Sequence, residues 1–136
     1  MQQRVIKALG EIALCVKDLD TMQQFYAEVI GLELMQRFPQ AAFFKIAEGY
    51  GGHTQILALF DRSQTAGYQS VEAETSTVDH FAFTIALADF DSEKRRLEQL
   101  GLKVTTTEHA WVHWRSLYVR DPEGNLVELV CYDESV

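Results

Sequence analysis

One pattern occurs twice in this chain, and it limits the available folds more than any single motif does. The stretch ALGEIALCVKDLDTMQQFYAEVIGLEL (8–34) can be laid over TVDHFAFTIALADFDSEKRRLEQLGLKV (77–104). Each copy starts as a strand, passes an acidic turn into an amphipathic helix, and leaves through Gly-Leu into another strand. Met22, Phe25, Tyr26 and Val29 recur at the spacing of one helix face, and Asp20 with Gln23 reads as a capping box. In the second copy Phe90, Leu97 and Leu100 form a sparser stripe, and Lys94, Arg95 and Arg96 read as its solvated face. Gly31 and Gly101 are expected to end the two helices. Three extended segments follow each helix: 32–38, 41–47 and 54–61 in the first copy, and 102–109, 115–120 and 126–133 in the second. The reading is two βαβββ units, repeat one over 8–61 and repeat two over 77–134, joined by a polar linker over 62–76. Each half is small for a core of its own, so a single α+β domain over 1–136 is expected.

The composition narrows the function classes. A formal net charge of −8 provides no basic surface for nucleic acid or an anionic membrane. No apolar run is long enough to span a bilayer, and the N-terminal stretch MQQRVIKALGEIALCV has no polar break with a cleavage site. Cys15 and Cys131 lie in apolar, strand-like runs and read as small buried hydrophobes in a reducing cytoplasm. No Cys-x-x-Cys pair indicates structural zinc.

The repeat also sorts side chains by face. Ile12, Leu14 and Val16 alternate with Glu11, Ala13 and Cys15, and Phe81, Phe83 and Ile85 alternate with His80, Ala82 and Thr84. The bulky face is expected to pack under the helix. The small-residue face fills no volume and is expected to line a space. Glu11 and His80 occupy the same place in the two copies. In DPEGNLVELV (121–130), Asp121, Pro122 and Gly124 are turn residues, and the strand that follows puts Glu128 on a face with Leu126 and Val130. A lone carboxylate there costs several kcal/mol unless it is hydrogen-bonded, paired or metal-bound. Laying QILALF (55–60) over ELVCYD (128–133) makes Gln55 the counterpart of Glu128, with His53 or Leu57 as alternative registers.

The doubled unit, together with EIALCVKDLDTMQQFYAEVIGLEL, DHFAFTI and SLYVRDPEGNLVELV, resembles the vicinal oxygen chelate superfamily, the glyoxalase/bleomycin-resistance/dioxygenase group. The resemblance covers nearly the whole chain and is most specific at YVRDPEGNLVEL. It implies a curved mixed sheet around a cleft, a homodimer, and in metal-dependent members a divalent ion held by the first and last strands of each unit. Carried over by position, it implies Glu11, His80, Glu128 and Gln55 as metal ligands. Glu11 stands where a histidine is more usual.

Oxygen and imidazole ligands without thiolate suit Mn, Fe, Ni, Co, Zn or Mg. Such an ion would bind two adjacent oxygens of a small substrate and stabilise an enediolate-type anion, with Glu128 or Glu11 as general base. This glyoxalase-like lyase or isomerase reading stands beside two others. One is a metal-free module that binds a small drug or antibiotic, the other a ring-cleaving dioxygenase. One histidine with two carboxylates departs from the two-His-one-carboxylate iron site of ring-cleaving oxygenases. In EHAWVHWRSLY, His109, Trp111 and His113 would share one face of a strand and line the substrate pocket with Tyr118. Arg37, Arg115 and Arg120 are further candidates for contact with a substrate oxyanion.

Overall fold

Among the described residues, eight strands and two helices follow the order the repeat implies, four strands and one helix in each half. The computed structural model describes residues 4–70, 72 and 75–136. Residues 71, 73 and 74 of the expected linker, and the first three of the N-terminal stretch, lie outside them. The chain divides into two units, 1–70 and 71–136, and each builds its own sheet. The fold is α+β with two βαβββ repeats.

In the first unit, β1 (Glu11–Cys15) runs parallel to β4 (Thr54–Phe60), with β3 (Ala41–Glu48) and β2 (Glu33–Phe38) continuing antiparallel in the order β1-β4-β3-β2. Helix α1 (Leu19–Gln24) is capped by Asp18, whose carboxylate accepts from the Thr21 amide. The cap therefore falls two residues before the Asp20–Gln23 box. Asp20 and Gln23 instead accept hydrogen bonds from the Arg37 guanidinium, at 2.8 and 2.7 Å, which removes Arg37 from the substrate candidates. The helix continues as a π-helical turn over Phe25–Ile30 that ends at Gly31 with φ 92°. That left-handed backbone would be strained with any side chain, so glycine is the natural stop. The wider turn lets two consecutive residues, Phe25 and Tyr26, both face inward, with their rings 5.2 Å apart. Leu14, Val16, Met22, Phe44, Leu57 and Leu59 complete this core.

The second unit repeats the plan. β5 (Phe81–Thr84) runs parallel to β8 (Leu126–Tyr132), with β7 (Trp114–Arg120) and β6 (Thr105–His109) antiparallel in the order β5-β8-β7-β6. Helix α2 (Phe90–Gln99) turns Phe90 and Leu97 inward, while Leu100 is exposed and drops out of the expected stripe. Gly101, with φ 88°, ends this helix as Gly31 ends the first. In both units the bulky side of the first strand is more covered and the small-residue side open: Leu14, Val16 and Phe83 are buried, whereas Glu11, Ala13, Cys15, His80, Ala82 and Thr84 are exposed.

Asp121 fixes where β8 begins. Its Oδ1 accepts from the amides of Glu123 (2.9 Å) and Asn125 (3.0 Å), and its Oδ2 accepts from Asn125 Nδ2 at 2.8 Å. The carboxylate is buried and locks the turn ahead of Glu128. Asp121→Ala is expected to cost roughly 1–3 kcal/mol, since it leaves half-buried amides without their acceptor. Urea denaturation measures it, and a loss below about 0.5 kcal/mol would show that the turn holds without the carboxylate. No helix among the described residues is long and apolar enough to cross a membrane.

Candidate metal centre

Glu128 finds its justification within the second unit. Register places it beside Ala82 on β5 and Tyr118 on β7. Alternation then puts His80, Ser116, Tyr118 and Glu128 on one face, opposite the side carrying Phe83, Leu117 and Leu129. Glu128 is only 4% exposed. Its Oε2 accepts a 2.5 Å hydrogen bond from Ser116 Oγ, and its Oε1 lies 3.2 Å from His80 Nε2. On the other side of the imidazole, Nδ1 is 2.6 Å from Asp79 Oδ2. Asp79 is placed as the carboxylates that commonly back histidine ligands are, with Nδ1 towards it and Nε2 towards Glu128.

This arrangement has a chemical consequence. When Nδ1–H donates to Asp79, a neutral His80 directs the Nε2 lone pair at a carboxylate oxygen. Two electron-rich atoms then face each other at 3.2 Å. A shared proton or a bound cation would reconcile them. Among the described residues, however, no group of three or more His, Cys, Asp or Glu comes together as a complete cage.

Tyr118 borders the pair. Its ring meets His80 edge-on at 6.2 Å, and its hydroxyl is 3.2 Å from His109 Nε2. Burial, and then the negative charge of Glu128, push the phenol pKa up. Tyr118 therefore stays protonated and can donate to an oxyanion. The other two pocket candidates go elsewhere. A 3₁₀ turn over Ala110–Val112 interrupts the extended run, so His109, Trp111 and His113 do not share a strand face. Trp111 is 84% exposed. His113 adopts φ 60° and its Nδ1 lies 2.6 Å from the Val136 carbonyl oxygen. Arg115 pairs with Asp133 at 2.9 Å and Arg120 donates to the Gly124 carbonyl.

In the first unit, Glu11 opens β1 and is exposed. Register corrects the assignment of Gln55. Glu11 lies beside Ile56, so Gln55 falls on the opposite face, with the parity of the core residues Leu57 and Leu59. Ala13 pairs with Ala58 just as Ala82 pairs with Glu128, which makes Ala58 the true repeat counterpart of Glu128. The open face of this unit also carries an aromatic cluster that sequence reading missed. Phe43 meets Phe38 and Phe60 edge-on at 5.9 and 5.6 Å, and the Arg62 guanidinium lies 4.2 Å from the Phe60 ring centre. Cys15 lies on this open face rather than in the core; Cys131 is buried, and burial pushes its thiol pKa up.

A family model described as the Glyoxalase/Bleomycin resistance protein/Dioxygenase superfamily matches residues 8–129. The chain belongs to this superfamily. It is 30% identical over 125 residues to a glutathione transferase FosA from Serratia marcescens, covering 92% of this chain and 81% of that one. It is 29% identical over 126 residues to a biphenyl-2,3-diol 1,2-dioxygenase 3 from Rhodococcus globerulus, covering 92% of this chain and 63% of that one. Among solved structures, a lactoylglutathione lyase from Agrobacterium tumefaciens matches with TM-score 0.68 and 32% identity, covering 94% and 96% of the two chains. A transferase, a dioxygenase and a lyase share this glyoxalase-type scaffold, so the reaction must be argued from the site.

Sequence reading also missed Asp79 and Ser116. Asp79 precedes His80 directly, and a carboxylate adjacent to a candidate ligand was a usable signal. Ser116 was not legible, because its approach to Glu128 depends on the β7–β8 register.

Proposed function

We propose that the chain is a divalent-metal enzyme that acts on a small molecule through two adjacent oxygens, with lyase or isomerase chemistry. The observation that carries this reading is the convergence of His80 Nε2 and Glu128 Oε1, backed by Asp79 and Ser116. His80 and Glu128 would hold the ion, and Glu11, at the repeat position of His80, is the corresponding candidate of the first unit. When bound, the ion would act as a Lewis acid towards the developing anion. Glu128 is engaged at both oxygens, by Ser116 and by His80. Tyr118, kept protonated, would donate to the substrate, and His109 steadies its hydroxyl.

A second reading, a metal-free small-molecule binder, is favoured by the aromatic cluster of Phe38, Phe43 and Phe60 and by a donor pair in place of a full cage. Elemental analysis of protein purified without chelator separates the two. The enzyme reading expects about one equivalent of divalent metal per chain, restored by titration after stripping. Lactoylglutathione lyase and glutathione transfer, the activities named for the relatives, are the first to assay. Less than about a tenth of an equivalent, with no uptake on titration, would leave the binder reading.

A further inference from the structure

The fully buried Ser116 is the most specific unexplained feature of the second unit. Its neighbours along β7 are Trp114, Arg115, Leu117, Tyr118 and Val119, all far larger, and a serine there gives up packing volume. The register brings it next to Glu128 diagonally, since Ser116 pairs with Val130 and Tyr118 with Glu128. Its hydroxyl makes the 2.5 Å bond to Oε2, between a residue 0% exposed and one 4% exposed. The two oxygens of Glu128 are thus held in different roles, Oε2 by Ser116 and Oε1 towards His80.

A carboxylate at the end of a glutamate rotates easily, because its last torsion is broad and two-fold. The Ser116 hydrogen bond removes that freedom. We infer that Ser116 is a positioning residue that reserves Oε2 and leaves Oε1 as the single Glu128 oxygen for a divalent cation. The inference rests on the reading of His80 and Glu128 as ligands. It adds a reason for a buried hydroxyl on β7 and a consequence for the ion. A cation held through one carboxylate oxygen keeps more coordination positions for substrate than one chelated by both.

The test compares wild type with Ser116→Ala, Ser116→Thr and Ser116→Val, titrated with manganese(II) alone. Isothermal calorimetry reads affinity, and electron paramagnetic resonance reads the bound ion. Thr and Val have nearly the same shape, so their difference isolates the hydroxyl from the packing. Loss of an outer-shell partner typically weakens metal binding about 10- to 100-fold, and that loss is expected for Ala relative to wild type and for Val relative to Thr. The resonance spectrum of the Ala and Val proteins is expected to differ from that of wild type, and that of Thr to resemble it. Equal affinities for Thr and Val, or wild-type affinity in Ala, would overturn the inference while leaving the metal reading intact. A wild-type protein that takes up no manganese(II) would overturn both.

Discussion

His80→Ala is expected to weaken divalent-metal binding by roughly 100-fold or more, beyond what loss of an outer-shell partner does. The protein should keep its fold. His80 immediately precedes β5, and its side chain is 39% exposed, so truncation opens no core cavity. Any activity measured with metal should fall with occupancy and recover little at saturating metal, because Glu128 alone is a poor anchor. The variant also removes the partner of Glu128 Oε1 from a carboxylate that is 4% exposed. A modest loss of thermal stability in the metal-free protein is therefore expected alongside the loss of metal. Calorimetric titration and elemental analysis provide the check. Metal content equal to wild type would refute the ligand assignment, whatever happened to stability.

The repeat was legible because its signals are local and periodic. Alternation on β1 and β5, the helical stripe of Met22, Phe25 and Tyr26, and the glycine stops at Gly31 and Gly101 all depend on neighbours a few residues away. Alternation gave the face of Glu128 and of His80 within their own strands, and the repeat and the family resemblance joined them as one set. What failed depends on register or on irregular backbone. Gln55 was assigned by sliding QILALF over ELVCYD, and only the pairing of Glu11 with Ile56 shows that it has the wrong parity. A one-residue shift moves a side chain to the other face, so an error of this size changes a candidate ligand into a core-side residue. Trp111 and His113 left the candidate pocket because a single 3₁₀ turn replaces extended backbone. Asp18 rather than Asp20 caps α1, since both positions offer an aspartate and the competing demand of Arg37 cannot be read locally.

The face assignment itself can be tested on two adjacent phenylalanines. Phe43 and Phe44 have the same side chain and the same strand, but β3 points them to opposite sides of the first sheet. Phe44 is 0% exposed, pairs with Leu57, and has its ring 6.3 Å from that of Tyr26, so it lies in the core beneath α1. Phe43 pairs with Ala58 and belongs to the half-exposed aromatic cluster on the Glu11 face. Phe44→Ala is expected to cost roughly 3–5 kcal/mol, from lost burial plus the cavity it leaves. That is a fall in melting temperature on the order of 10 °C. Phe43→Ala removes edge-to-face contacts and partial burial only, so its cost should be about half as large or less. Thermal and urea unfolding of the two variants decide the matter. Equal destabilisation would mean that the two sides of the sheet are not distinguished as core and open face, and the reasoning that placed Glu11 opposite the helix would fail with it.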